Sequence, residues 1–396
     1  MQHSPTTEKT PPINEQHYIL AQKNSNTVTF FLLFWYSMAI VQLLLWGGLF
    51  SRLARYRPPA IPSVQYPPVS VIICARNEAA NLQKNLGYLL AQDYPVFELL
   101  VVNDQSQDTT AELLKELQKS HTHLQVITVK EKKTAGKKGA LAQGIAAAQY
   151  EQLLLTDADC RPASKQWIQH MAGTAVHQNK ALVLGYGPYQ AAPTWLNYWV
   201  QLETVFVFLQ YASMALWKQP YMGVGRNLWY KKQLFEQAGG FESHAHLISG
   251  DDDLLVNQVA TGDNTGLCLH PDSFVYSPAP TTWKSLYQQK TRHYSSSGAY
   301  KWQHQLVLGL IAGSQFFFYT GLLLIIATNA WNYAIIVMLM GRSFLLLFVY
   351  YRLLHTLQQK ALFPYVWVMD ALLPLYYLIF AGAALGVTQP KTWNSR

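Results

Sequence analysis

Long stretches without charge constrain the fold of this chain more than any other feature. Residues 28–50 and 305–341 contain no Asp, Glu, Lys or Arg, and residues 362–387 contain only Asp370. About 20 apolar residues are enough for a helix to cross the hydrocarbon core of a bilayer. The first and last stretches each fit one helix, and the middle stretch fits two. We therefore predict transmembrane helices at residues 28–50, 305–328, 331–351 and 363–387.

Basic residues beside these helices predict their orientation. They follow the first helix and separate the third from the fourth: Arg52, Arg55, Arg57, Arg352, His355 and Lys360. Cytoplasmic flanks of membrane helices are enriched in Lys and Arg. The pattern predicts a multi-pass protein of the cell membrane, with membrane lipids around it and its large central segment in the cytoplasm. A cleaved signal peptide fits residues 28–50 poorly, because the apolar run is too long and begins too far from the N-terminus.

The rest of the chain divides by composition. Residues 1–27 are polar and predict a disordered tail, and the proline-rich residues 51–67 predict a linker. In residues 68–304, apolar strand patterns alternate with helical ones, which favours an α/β domain with a parallel sheet covered on both faces. Residues 195–217 are rich in aromatic side chains and predict an interfacial amphipathic helix. A fifth span is the alternative for that segment.

Charge and cysteine content narrow the possible partners. The net charge is +8, but no basic stripe or nucleic-acid module is present, so nucleic acid is not an expected partner. The flanks of the membrane helices and a basic loop account for the excess charge. Cys74, Cys160 and Cys268 are far apart and form no C-x-x-C pair, which is typical of a reducing compartment.

Two carboxylates end the fourth predicted strand. Asp157 and Asp159 are one residue apart, and alternate side chains of extended backbone point to the same side. Hard divalent cations such as Mg²⁺ or Mn²⁺ prefer oxygen ligands. The motif therefore indicates a metal site, and the alternative is a polar turn that caps the next helix.

The earlier strands also end in polar residues. Residues 75–78 follow the first strand and Asp104 follows the second, where Ser106 and Asp108 are expected to cap a helix. After the third strand, a glycine-flanked pair, Lys137 and Lys138, enters a helix N-terminus, which favours anions. We expect one of the two lysines to contact phosphate. A solvated basic loop is the alternative.

This series of strand ends resembles the nucleotide-sugar-binding half of family 2 glycosyltransferases. The residues that carry the resemblance are Ala75, Arg76, Asn77, Glu78, Asn103, Asp104, Ser106, Asp108, Thr110, Gly136, Lys137, Asp157 and Asp159. The resemblance implies a Rossmann-like GT-A domain beside about four transmembrane α-helices. It places Glu78 and Asp104 at the nucleoside. It also places Ala75, Lys137 and Asp157 at the nucleotide-sugar, and a divalent metal on Asp157 and Asp159.

Three acids in a row, residues 251–253, indicate the catalytic base. Adjacent carboxylates raise each other's pKa, which suits a base near neutral pH. Capping of a helix would account for one of the three. The segment resembles the Gly-Asp-Asp motif of membrane polysaccharide synthases, whose last Asp deprotonates the acceptor. Matching Gly250 and Asn257 assigns that role to Asp252, and another register would assign it to Asp251.

A third motif lies just before the second membrane helix. Gln289 and Arg292 resemble the Q-x-x-R-W motif of processive synthases and ceramide glucosyltransferase, and we expect Arg292 to grip the pyrophosphate. His293 stands where the motif has Trp, and this departure weakens the prediction of processive polymer synthesis. The alternative is a basic membrane-flanking helix. Farther on, Arg342 and Asp370 lie inside apolar spans and are expected to pair.

Together the motifs imply a membrane-bound inverting glycosyltransferase. Its donor would be a nucleotide-sugar, with UDP-sugars expected, and its acceptor a lipid or a growing glycan. A processive polysaccharide synthase coupled to export is the alternative within the class. Outside it, the chain could be a transporter component with a degenerate nucleotide-binding domain, or a nucleotidyltransferase.

Overall fold

The computed structural model describes residues 13–59, 65–131, 134 and 136–384, with side chains from residue 28 to residue 382. The helices are α1 (Ile13–Leu44), α2 (Ser51–Arg55), α3 (Ala79–Leu90), α4 (Thr110–Ser120), α5 (Lys137–Ala147), α6 (Trp167–His177), α7 (Trp195–Leu216), α8 (Lys232–Gln237), α9 (Asp253–Val259), α10 (Trp283–Tyr294), α11 (Trp302–Thr328), α12 (Tyr333–Thr356) and α13 (Val366–Ala384). The strands are β1 (Val69–Ala75), β2 (Phe97–Asn103), β3 (Leu124–Thr128), β4 (Gln152–Asp157), β5 (Arg161–Pro162), β6 (Leu182–Leu184), β7 (Leu228–Lys231), β8 (Thr265–Leu267) and β9 (Val275–Tyr276).

Seven of these strands form the central sheet, in the order β3-β2-β1-β4-β7-β6-β8. The first four in that order are mutually parallel, as predicted from the alternation of strands and helices. Strand β7 runs antiparallel to both β4 and β6. No turn signal predicted this reversal, because β6, β7 and β8 have only three or four residues each. The predicted α/β fold class is confirmed.

Both faces of the sheet are buried because apolar residues occupy positions on both faces of its central strands. All seven residues of β1 are buried, and their side chains alternate between two cores. Val71 and Ile73 face the core formed with α3, α4 and α6. Ile72 and Cys74 face the core formed with α5 and α7, and that core continues into the apolar helices at both ends of the chain. The α/β domain and the apolar helices thus share the second of these two cores.

Four helices are long and apolar enough to cross a membrane, which confirms the predicted number. They span Val28–Arg55, Trp302–Thr328, Tyr333–Thr356 and Lys360–Gly382. The first is continuous from α1 through a π-helical turn, Leu45–Phe50, into α2. The chain therefore joins the α/β domain to a membrane-associated helical region.

The predicted disordered tail is wrong over residues 13–27, which belong to α1. These residues contain neither glycine nor proline, and Pro11-Pro12 directly precedes them. Proline is favoured at the start of a helix, and the apolar helix that follows supplies a nucleus from which the helix extends. Residues 1–12 and residues 60–64 of the predicted linker lie outside the described residues.

The predicted amphipathic character of residues 195–217 is also wrong. Helix α7 is buried on all sides, including Glu203, rather than along one face. It packs against α2, α13 and strand β8. A helix that is hydrophobic all round is a core helix, and only its end tryptophans, Trp195 and Trp217, are about half exposed. The sequence pattern could not distinguish these situations because neighbouring elements supply the burial.

The predicted pairing of Arg342 with Asp370 is confirmed. The guanidinium of Arg342 donates two hydrogen bonds to the carboxylate, at 2.6 and 3.0 Å. Both side chains are almost completely buried. Gln42 accepts from Arg342, and Gln315 donates to Asp370, so the pair links α1, α11, α12 and α13. The ion pair and its hydrogen-bond partners therefore connect the four apolar helices.

Candidate active site

A cavity of about 750 Å³ lies at the carboxyl edge of the parallel strands. In open parallel sheets this edge is where ligands bind. Seven of the predicted site residues line the cavity: Glu78, Lys137, Asp157, Asp159, Asp251, Asp252 and Arg292. The tertiary fold therefore brings together motifs that are separated by more than 200 positions in the sequence.

The remaining predicted residues lie just behind the cavity wall. Asp104 is fully buried at the end of β2, and its N–H donates to the carbonyl oxygen of Ala75 at 2.8 Å. Gln289 is buried in α10, where its side-chain oxygen accepts a hydrogen bond from the Tyr189 hydroxyl at 3.2 Å. Glu78 is positioned from its backbone, because its N–H donates to Thr110 Oγ1.

The loops after β1 and β2 hold each other in place. Ser106 accepts from the N–H of Asn77, and Asp108 accepts from the N–H groups of Ala79 and Thr110. The predicted capping role therefore applies to Asp108, whereas Ser106 connects the two loops. The exchange of hydrogen bonds between the loops, which sequence spacing alone does not reveal, fixes the wall near Glu78.

Asp157 and Asp159 lie together where β4 enters the cavity. Their carboxylates and the Cys160 thiol offer ligand atoms that all lie within 4.8 Å of one another. The two oxygen donors fit a hard divalent cation. Cys160 fits it less well, because burial raises the pKa of its thiol well above the usual value. The carboxylate pair is therefore the part of the cluster suited to Mg²⁺ or Mn²⁺.

The two neighbouring lysines have different positions. Lys137 Nζ lies 2.7 Å from Asp157 Oδ1 and 3.1 Å from Asp251 Oδ2, so it bridges the two acidic motifs. Burial opposes its charge, but Asp157 and Asp251 raise the pKa of Lys137 well above the usual value. Lys138 instead donates to the backbone carbonyls of His244 and Leu247. Only Lys137 is placed to contact a ligand in the cavity.

Asp252 has the electrostatics of a base that operates near neutral pH. Burial, followed by repulsion from Asp251 and Asp253, raises the pKa of Asp252 to about 7. Its Oδ2 accepts the N–H of Gly225 at 2.5 Å. A Cβ at Gly225 would lie 3.1 Å from that oxygen, so a larger residue there would press on the carboxylate. The glycine loop fixes the orientation of Asp252.

The other two acids of the run have different partners. Asp251 pairs with Lys137, as described above, whereas Asp253 is buried and accepts hydrogen bonds from Ser296 and Tyr300. Gly250 precedes the run with a φ of +99°, a conformation that other residues rarely adopt. This turn places three consecutive carboxylates in three environments, and Asp252 lines the cavity with its pKa raised to about 7.

Arg226 is a cavity residue to which the sequence motifs assigned no role. Its guanidinium lies 4.5 Å above the centre of the Tyr189 ring and donates to Ser277 Oγ at 2.8 Å. The glycine-rich segment around it, residues 221–227, resembles the acceptor-side loop of the family, but only the tertiary structure shows that its arginine enters the cavity.

Comparison with known proteins identifies the domain. Residues 70–239 match the model of glycosyl transferase family 2. A probable glycosyltransferase of Bacillus subtilis, YdaM, is 25% identical over 233 residues, which are 58% of this chain and 54% of that protein. A beta-monoglucosyldiacylglycerol synthase of Trichormus variabilis is 32% identical over 148 residues, 35% of this chain and 31% of that protein. The chain thus spans about half of the first relative's length and a third of the second's.

A solved structure supports the fold. The mannosyltransferase PcManGT of Pyrobaculum calidifontis, in complex with GDP-Man and Mn²⁺, aligns with 87% of this chain and 99% of its own, at a TM-score of 0.51 and 17% identity. At that identity the likeness concerns the GT-A fold alone. Together with the family match, it shows that residues 70–239 belong to a family 2 glycosyltransferase domain of GT-A fold.

Proposed function

We propose that this enzyme moves a sugar from a nucleotide-sugar to a hydroxyl group presented at the membrane, with inversion at the anomeric carbon. The observation that carries this proposal is Asp252, a carboxylate with a pKa raised to about 7 that faces the same cavity as Lys137, Arg292 and the Asp157–Asp159 pair. A base and an electropositive or metal-binding group on one cavity are what a displacement at the sugar requires.

In this proposal Asp252 deprotonates the acceptor hydroxyl. The acceptor oxygen forms a bond to the anomeric carbon while the bond from that carbon to the diphosphate oxygen breaks. The proton goes to Asp252, and the bonding electrons leave with the nucleoside diphosphate. General bases work best when their pKa is near the operating pH. The backbone N–H groups of Gly225 and Asp253 donate to the two oxygens of the carboxylate and fix its orientation in the cavity.

The donor side lies around Asp157. Asp157 and Asp159 would hold a divalent cation, which when bound neutralises charge on the leaving diphosphate. Lys137 forms an ion pair with Asp157 and would add a second positive charge beside the diphosphate. Arg292 would grip phosphate oxygens, and Glu78 and Asp104 would face the nucleoside. The Mn²⁺ of the solved mannosyltransferase is consistent with a divalent ion in this fold.

The apolar helices support a location of this chemistry at a bilayer surface. Arg292 lies ten positions before α11, the first apolar helix after the catalytic domain. Basic flanks on the first and third spans favour a cytoplasmic location of the domain. The related glucolipid synthase supports a lipid acceptor, and a growing glycan is the alternative. The family match argues against a transporter component, because residues 70–239, which include Asp157 and Asp159, match a transferase family.

A donor screen tests the proposal. Membranes that contain the full-length protein are incubated with labelled UDP- and GDP-sugars and Mn²⁺ or Mg²⁺, and products are identified by mass spectrometry. We expect transfer from one donor, loss of transfer with a chelator, and restoration by added metal. Asp252→Asn should bind the donor normally and transfer nothing. Transfer at the wild-type rate by Asp252→Asn would refute the assignment of the base.

A further inference from the structure

The catalytic cavity does not end at the carboxylates. It continues between α11 and α13, two of the helices that are apolar enough to cross a membrane. The residues that line this extension are Gln305, Leu308, Gly309, Ala312, Gly313 and Phe316 of α11, with Pro374, Tyr377, Leu378, Phe380 and Ala381 of α13. One continuous space therefore joins the proposed base, Asp252, to the apolar helices.

The lining residues of α11 form one face of the helix. Their spacing of three or four positions from Gln305 to Phe316 matches the helical repeat. At 1.5 Å per residue this stripe extends about 16 Å along the axis. That is about half of the ~30 Å hydrocarbon core of a bilayer. The stripe is thus about as long as one leaflet of a bilayer is thick.

Small residues leave this extension open. A Cβ at Gly309 or at Gly313 would meet no atom within 4 Å. From Leu308 to Phe316 no lining side chain of α11 carries a polar atom. Sugar rings present hydroxyl groups on their rims and need hydrogen-bonding partners when buried. A space with this lining suits a hydrocarbon chain instead.

A pair of charged residues also lines the cavity, in addition to the carboxylates and the apolar extension. Glu203 of α7 and Lys290 of α10 form a buried ion pair that lines it. Glu203 is 1% exposed, and among the described residues its Oε1 has no hydrogen-bond partner. That oxygen is closed to solvent, so the ion pair with Lys290, rather than a free carboxylate, forms the polar boundary of the extension.

From these observations we propose that the acceptor is a hydroxylated membrane lipid. Its chain lies between α11 and α13 against Gly309 and Gly313, and its headgroup lies beside Glu203 with the reacting hydroxyl at Asp252. This inference rests on the proposed function and specifies its acceptor. The half-bilayer length of the stripe and its apolar lining distinguish a lipid drawn from one leaflet from a glycan that is extended and exported.

Closing the extension tests the proposal. Membranes that contain the full-length enzyme and their native lipids are given the labelled nucleotide-sugar identified in the donor screen. Label is measured in the chloroform-soluble, water-soluble and insoluble fractions. In the wild type we expect label in chloroform-soluble lipid that carries one added sugar. Gly309→Leu and Gly313→Leu should each lower that initial rate at least tenfold, with donor affinity within twofold of the wild type.

Gly48→Leu is the matched control. Gly48 also lies in an apolar helix with open space at its Cβ, but it does not line the cavity. This variant should keep the wild-type rate. Label in a polymer, or wild-type lipid transfer by both leucine variants, would overturn the lipid inference and leave the transferase proposal standing. No transfer by the wild type from any donor would overturn both.

Discussion

Two regions of this protein bury charged side chains, and they do so in opposite ways. In the helical region, Arg342 and Asp370 form a one-to-one pair, and Gln42, Gln315 and Tyr319 hydrogen-bond to it. In the cavity, seven Asp and Glu and five Lys and Arg side chains of the described residues line the same space. Among the described residues, these acids share the cavity as a group rather than in one-to-one pairs.

The difference separates structural charge from functional charge. A buried pair with complete hydrogen bonding has no capacity left for a ligand. In the cavity, burial and then repulsion from Asp251 and Asp253 raise the pKa of Asp252 to about 7. Such perturbed groups cluster at functional sites. Changing single charges should therefore reduce stability in the helical region and catalysis in the cavity.

The largest effect is expected at the proposed base. Asp252→Asn should lower sugar transfer by about a thousandfold, since general bases contribute about 10²–10⁴-fold. The stability should change little, because Asn keeps an acceptor for only one of the two backbone N–H groups, those of Gly225 and Asp253, but removes a charge that burial disfavours. Single-turnover transfer and thermal unfolding in detergent measure the two effects. Loss of transfer in Asp251→Asn alone would move the base to Asp251.

The next largest effect should concern stability in the helical region. Arg342→Ala or Asp370→Ala leaves one buried charge without its partner, which costs about 3–5 kcal/mol. The double variant should be no less stable than either single variant, because no charge remains unpaired. Thermal unfolding of the full-length protein in detergent, across the double-mutant cycle, measures this coupling. Additive losses would show that the two residues act independently.

A smaller effect should distinguish the neighbouring lysines. Lys137→Met removes the ammonium beside Asp157, and donor affinity should fall by about 10- to 100-fold, the worth of a hydrogen bond to a charged group. Lys138→Met leaves two carbonyls without their donor and should lower the unfolding temperature without changing donor affinity. Calorimetric titration with the donor measures affinity. Equal donor affinity in both variants would contradict the assignment of Lys137.

The smallest effect is expected from pH. Because the pKa of Asp252 is raised to about 7, its reactive carboxylate form is lost as the pH falls through that value. The kcat/KM should therefore drop about fivefold between pH 7 and pH 6. Stability changes in the opposite direction, since the protonated form is the one that burial favours. Initial rates from pH 5.5 to 8.5 measure the profile, and a flat profile would exclude Asp252 as the base.

The sequence was sufficient where a pattern repeats locally. The four apolar stretches and the alternation of β1 to β4 with α3 to α5 follow from hydrophobic periodicity, which depends on few distant contacts. The reversed strand β7 and the buried helix α7 were not predictable in this way. A strand of four residues carries little periodicity, and burial on all sides of α7 is supplied by elements from both ends of the chain.

The candidate site shows the same division. The sequence predicted which residue types would matter, because polar side chains at the ends of apolar strands have few structural uses. Sequence spacing alone could not decide which of the two lysines contacts a ligand or which of the three acids is the base. It also gave no role to Arg226. Those assignments depend on contacts across long separations, such as Lys137 with Asp251 and Asp252 with Gly225.

By itself, the sequence determined a membrane-associated α/β glycosyltransferase, because hydrophobic patterning and four ordered motifs are local properties. Only the tertiary structure decided how one cavity joins the acids at residues 251–253 to the glycines of α11. The physical reason is that pKa values, ion pairs and open space depend on which groups approach in three dimensions. Packing of distant helices, rather than sequence spacing, sets those approaches.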